Sequence, residues 1–188
     1  MKVYLAGPEV FLPNAREILD RKIALTSAYG FAPVAPGDLK VAPALTGKAR
    51  GLAISAHNEG LMLSADLIIA NLTPYRGVSA DVGTVYELGF MCARGCPAYA
   101  FTNVTRGYFD RVSAYYGGDV REDARGGMRG PDGLMIENCD FIDNLMLDGG
   151  VESRNGAVIP HEATPQALYT DLTGFEACLA IAAKRLLG

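Results

Sequence analysis

Two carboxylates, Asp81 and Glu87, stand six residues apart in the segment Asp81-Val-Gly-Thr-Val-Tyr-Glu-Leu-Gly89 of this 188-residue chain. If a helix starts at Asp81, its carboxylate can cap the first backbone amides, and Glu87 falls between one and two turns in. Gly83 then occupies the first turn without a side chain, which costs helix propensity and lets a ligand approach the backbone. Glu87 leans back toward the amino end, over the loop that precedes the helix. Its neighbours Tyr86 and Leu88-Gly-Phe90 are apolar or small, a setting that perturbs a carboxyl group. Two carboxylates beside one sugar are what glycosidic cleavage requires. One stabilises or captures an oxocarbenium-like carbon, and the other holds a hydroxyl or assists proton movement. The plainer alternative makes Asp81 an N-cap only and Glu87 a solvated helix residue.

Such residues need a scaffold. Lys2 to Ala6 reads as a short apolar strand closed by Gly7-Pro8, and Phe31 to Ala35, Leu67 to Ala70 and Pro97 to Thr102 read as further strands. Helices are predicted from Asn14, as N-cap, to near Gly30, from about Lys48 to Ser64, from Ser79 to Asp81 onward, and from about Pro165 to Leu187. Ile18, Leu19, Ile23 and Leu25 give the first its apolar stripe, while Val85, Leu88 and Met91 face the core in the third. Residues 103–133 are rich in Gly and Arg with little periodicity and are expected to form an excursion or lid. The alternation implies one domain over residues 1–188, flavodoxin-like or Rossmann-like and doubly wound. Its mainly parallel five-stranded sheet carries helices on both faces. The first and third strands are then neighbours, so Gly7-Pro8 and the 71–81 loop meet at the carboxyl edge, where such sheets bind ligands.

Composition narrows the function. The chain is 49% hydrophobic and 20% charged with a net charge of −4, and it has no basic stripe, which argues against nucleic acid as a partner. No apolar run approaches a bilayer span and no signal peptide precedes the first strand, so a cytoplasmic protein without membrane contact is expected. Cys92, Cys96, Cys139 and Cys178 lack metal or redox spacing, and only His57 and His161 could join them. Buried free thiols and no metal are therefore expected. Arg121, Arg125 and Arg129, interrupted by glycines, read as a solvated loop rather than a helix face or phosphate clamp. Tyr115-Tyr116 could cover a base from it. Arg76 reads as an ion-pair partner within its loop, and His161 as exposed.

Taken in order, Tyr4-Leu-Ala-Gly-Pro8 with Phe11, Asn58 eight residues before Asp66, Asp66-Leu-Ile-Ile-Ala-Asn71, the Asp81–Gly89 segment and Asn144-Leu-Met-Leu147 resemble the nucleoside 2-deoxyribosyltransferase family. The resemblance runs from Lys2 to about Val151, and Leu72-Thr-Pro-Tyr-Arg-Gly77 is similar to a branch that includes purine-accepting members. It implies that Glu87 is a nucleophile forming a covalent deoxyribosyl ester, that Asp81 contacts the sugar and orients Glu87, and that Tyr4 hydrogen-bonds the nucleophilic carboxylate. It further implies that Gly7 and Phe11, with Pro8, Asn71 and Gly83, line the substrate pocket. Asn144 would reach the sugar's 5'-hydroxyl from a neighbouring subunit, with Met146 beside it, so a homo-oligomer is expected. No cofactor is implied.

Asn58 departs from members that carry an aspartate facing the nucleobase, because an amide can hydrogen-bond a base edge but cannot supply its proton. Another group or water must protonate the base, or the substrate leaves more easily. His57, its neighbour, points about 100° away on a helix. The chain also continues to Gly188 past the point where short members place a terminal carboxylate near the site, so no role is assigned there. Three functions follow. The first transfers 2-deoxyribose between nucleobases by a retaining double displacement, in nucleoside salvage, with selectivity against a 2'-hydroxyl set near Gly83 and Glu87. The second is an N-glycoside hydrolase of nucleosides or nucleotides. The third is a non-catalytic sensor. Glu9, in the loop where nucleotide hydrolases place phosphate-binding residues, is expected to repel a phosphate and favour free nucleosides.

Overall fold

The computed structural model describes residues 1–37 and 45–188. Its central sheet contains β1 (Lys2–Ala6), β2 (Ala32–Val34), β3 (Leu67–Asn71), β4 (Ala98–Thr102) and β7 (Val158–Pro160). They lie in the order β2-β1-β3-β4-β7 and every pairing is parallel. Continuous apolar runs such as Leu67-Ile-Ile-Ala70 suit this arrangement, since both faces of a parallel strand are covered. All five residues of β3 are buried.

Helices α2 (Gly47–Ser64), α3 (Val82–Ala93) and α5 (Leu145–Glu152) cover one face, over Tyr4, Ile68, Met62, Leu88, Met91 and Val151. Helices α1 (Ala15–Ala28) and α6 (Thr173–Leu186) cover the other, over Leu5, Ile18, Ile69, Phe101, Phe175 and Leu179. Alternation along β1 therefore sends Tyr4 and Ala6 toward α3, and Val3 and Leu5 toward α1. The expected fold, the adjacency of β1 to β3 and the start of α3 all stand.

Several local expectations change. Residues 103–133 are built around α4 (Tyr108–Tyr115) and a short antiparallel hairpin of β5 (Arg121–Glu122) and β6 (Met128–Arg129). Arg129 there pairs with Asp123 at 2.6 Å. The single predicted C-terminal helix is a 3-10 turn (Pro165–Ala167) followed by α6, and α5 and β7 had no clear periodic signal. Asn14 occupies the N-cap of α1 but its side chain makes no cap bond. On α1 Ile23 and Leu25 pack against the core as expected, but its fully buried residues are Ile18, Lys22 and Thr26, so a lysine joins the core-facing row.

Candidate active site

At the carboxyl edge Ala6 pairs with Ala70, which sets the Gly7 loop beside the loop leaving β3. Tyr4, fully buried, points up the α3 face and donates its hydroxyl to Glu87 Oε1 at 2.6 Å. Among the described residues nothing hydrogen-bonds Glu87 Oε2, which leaves one carboxylate oxygen for a ligand. Asp81 caps α3: its Oδ2 accepts from the Thr84 backbone N–H at 3.0 Å and from the Thr84 hydroxyl at 3.3 Å. Asp81 is thus the N-cap of α3, a position that places its carboxylate about one and a half turns from Glu87. Gly83 is exposed, and a Cβ there would meet Asp81 Oδ2 at 3.0 Å, so a side chain would crowd the acid as well as any ligand.

The electrostatics of the Glu87 carboxyl group are strongly perturbed. Burial pushes the Glu87 carboxyl up to about 7; the Tyr4 hydrogen bond opposes that rise, the Asp81 charge adds to it, and Lys22 and Glu9 exert smaller opposed effects. Tyr4 is driven far above the ordinary tyrosine range, first by burial and then by the Glu87 charge. It therefore stays protonated as a permanent donor.

The Gly7 loop continues as a 3-10 turn, Pro8–Phe11. A Cβ on Gly7 would lie 1.9 Å from Glu9 Oε2 and 2.9 Å from the Asn71 side chain, so only glycine fits the bend. Glu9 corrects an expectation: it is 5% exposed and turned inward, with Lys22 Nζ at 3.1 Å and Asn71 Nδ2 at 2.9 Å from Oε1. Lys22 also stands over the Phe175 ring at 5.0 Å. A charge paired this way offers no repulsion to a phosphate. Asn71, expected to touch ligand, is 1% exposed, and its Oδ1 accepts from Thr73 N–H at 2.9 Å. It braces the loop from inside.

Phe11, 58% exposed, stacks on Tyr75 at 5.4 Å, and Tyr75 meets Tyr169 edge-on at 5.9 Å. Arg76 lies over the Tyr75 ring at 5.0 Å with a φ of 54°, a cation–π contact in place of the expected ion pair. Tyr75 and Tyr169 were missed because lone loop aromatics carry no periodic signal. Asn58 and His57 are half-buried on α2, which packs on α3 and β1. Tyr86 donates to Glu59 on the same helix at 2.5 Å.

Asn144 caps α5, accepting from Met146 N–H at 3.0 Å, while its Nδ2 donates to both Glu137 oxygens at 2.9 and 3.0 Å. Met146 is 71% exposed. Neither touches Glu87 of the same chain through any hydrogen bond. Sequence reasoning also missed Glu137, Asp143 and Arg111, which fix this turn; Asp143 directly precedes Asn144, but nothing in its spacing marks it as buried. A cavity of about 1120 Å³, lined by Tyr108, Glu137, Phe141, Asp148 and Arg185, lies at this turn and does not include Glu87. Among the described residues no group of three His, Cys, Asp or Glu could hold a metal ion, and all four cysteines are free. Cys139 is exposed, against the expected burial.

A doubly wound sheet with a tyrosine-held glutamate at its switch point defines an α/β protein built for a small ligand at the carboxyl edge. The model of the nucleoside 2-deoxyribosyltransferase family matches residues 3–146, a span that contains every candidate residue from Tyr4 to Met146. An uncharacterized protein of Schizosaccharomyces pombe is 32% identical, with 94% of this chain aligned to 89% of that one. A solved 2-desoxiribosyltransferase from Leishmania mexicana superposes with a TM-score of 0.65 at 28% identity, covering 98% of both chains. The chain belongs to the nucleoside 2-deoxyribosyltransferase family. No helix among the described residues is long and apolar enough to cross a membrane.

Proposed function

We propose that the protein transfers the 2-deoxyribosyl group between nucleobases, with Glu87 as nucleophile, in nucleoside salvage. The observation that carries this reading is the 2.6 Å bond from Tyr4 to Glu87 Oε1, which fixes the carboxylate and leaves Oε2 to attack. In the first step Oε2 forms a bond to C1' as the bond from C1' to the base nitrogen breaks, giving a deoxyribosyl ester and a free base. A second base then attacks C1' from the face the first one left, returning its ring N–H proton to water, and Glu87 departs as carboxylate. Two inversions retain configuration. Tyr4 steadies the carboxylate as its charge falls and returns, and Asp81 holds a sugar hydroxyl.

Phe11, backed by Tyr75, supplies an aromatic face for the base. Asn58 hydrogen-bonds the base edge without a transferable proton, so the departing base takes its proton from water. Asn144 serves a neighbouring subunit's site. Its Nδ2 is held against the Glu137 carboxylate, whose charge beside it favours a 5'-hydroxyl over a 5'-phosphate. With Glu9 neutralised, this carboxylate-backed asparagine takes over the preference for free nucleosides.

Incubation with deoxyinosine and free adenine, followed by chromatography, tests the reading. Deoxyadenosine is the expected product, and exchange weakens below pH about 7 as Glu87 takes up a proton. Hypoxanthine without deoxyadenosine would instead establish hydrolysis, and no change would leave only binding.

A further inference from the structure

One guanidinium closes the loop that leads into α3. Arg111, on α4 and largely buried, donates from Nε to the Val78 carbonyl at 2.7 Å. Its Nη1 donates to the Arg106 and Ile142 carbonyls at 2.7 and 2.6 Å, and its Nη2 to Asp143 Oδ2 at 2.9 Å. Asp143, 1% exposed, accepts in turn from the Ser79 hydroxyl, from Ala80 N–H at 3.1 Å and from Asn144 N–H at 2.7 Å. Asp148 holds the turn from below, accepting from the N–H groups of Ile142 and Asp143 at 3.1 and 3.0 Å. The loop that ends at Asp81 and the turn that presents Asn144 are thus bound to one ion pair.

We propose that the Arg111–Asp143 pair is a positioning device that fixes the start of α3, and with it Glu87, in register with the Asn144 turn; this rests on the reading of Glu87 as nucleophile. A buried ion pair roughly offsets its own desolvation, so its main effect here is geometric. Geometry decides rate, because a displacement of about 1 Å at a reacting group costs roughly a hundredfold. Arg111 forks to four acceptors in three chain segments, an arrangement that lysine, a compact point charge, cannot reproduce. Residues 103–133 act through it as a brace behind the site.

Two variants test the device. Ser79→Ala removes one bond without stranding a buried charge, and Arg111→Lys keeps the charge while losing the fork. In both, kcat for base exchange falls about tenfold or more while KM for the deoxynucleoside stays within about threefold. The thermal midpoint of Ser79→Ala stays within about 2 °C of the parent. Hydrogen exchange of Arg111→Lys shows residues 78–84 and 142–147 loosening together, with β1 and β3 unchanged. A kcat within about twofold of the parent, a loss that merely follows the midpoint, or loosening of one segment alone overturns the proposal. If the parent protein exchanges no base, the transferase reading fails, and the joint loosening still decides whether the pair links the two segments.

Discussion

A carboxylate that attacks carbon must be ionised, yet Glu87 sits where burial favours its protonated form. The two demands meet near neutrality, where its pKa of about 7 leaves a useful ionised fraction and Tyr4 stays protonated beside it. The same residue weakens the fold. Its folded pKa lies above the ordinary 4.5, so between those values the folded state holds a proton that the unfolded chain releases. Stability from this group is therefore present at low pH and lost as pH rises through about 7. Glu87→Gln, which keeps the shape and an acceptor for Tyr4, should stabilise the protein by about 1–3 kcal/mol at pH 8 and by little at pH 5. Denaturant unfolding at both pH values measures this, and an equal gain at both would contradict it. Asp81 and Glu87 were legible from helix spacing, and Tyr4 only through the family resemblance. Glu137 and Asp143 were not, since their partners are set by tertiary contact.

Between elements, the Gly7 turn is held by a buried charge pair. Lys22 reaches from α1 to Glu9, and Glu9 also receives Asn71 from the end of β3. Lys22→Met removes one partner and leaves an uncompensated buried carboxylate, which should cost about 3–5 kcal/mol. Adding Glu9→Gln should recover most of that loss in thermal unfolding, and a double variant no more stable than Lys22→Met would contradict the account. The row Ile18, Leu19, Ile23 and Leu25 correctly announced a helix but gave no sign that Lys22 shares its buried face. Glu9 was misjudged for the same reason: an acid in a loop reads as exposed until its partner is placed. In 103–133, glycines hid an eight-residue helix, too short for a periodic pattern amid so many turn residues.

At the scale of the whole molecule, the adjacency of β1 to β3 followed from alternation and right-handed crossovers, while the edge strand β7 was not located. The bracing of the Asn144 turn did not follow, because its partners Glu137, Asp143 and Arg111 are set by tertiary contact. Val82 is 84% exposed, Tyr86 54% and Met146 71%, apolar groups on the elements that carry Glu87 and Asn144. The proposed shared site has a second copy cover them, with Asn144 serving a neighbour's Glu87. Light scattering after size exclusion should therefore give a mass at least twice 20.0 kDa, and specific activity should fall on dilution. A fully active monomer would contradict the shared site.

The central claim is a covalent bond from Glu87 to C1'. The direct measurement is to mix the protein with a deoxynucleoside, quench in acid during turnover, and map the adduct by peptide mass spectrometry. The account predicts one deoxyribosyl group on the peptide spanning Asp81 to Arg94, attached at Glu87 and absent in Glu87→Gln. A Glu87→Ala protein that exchanges bases at the parent rate, or an adduct on another residue, would contradict it.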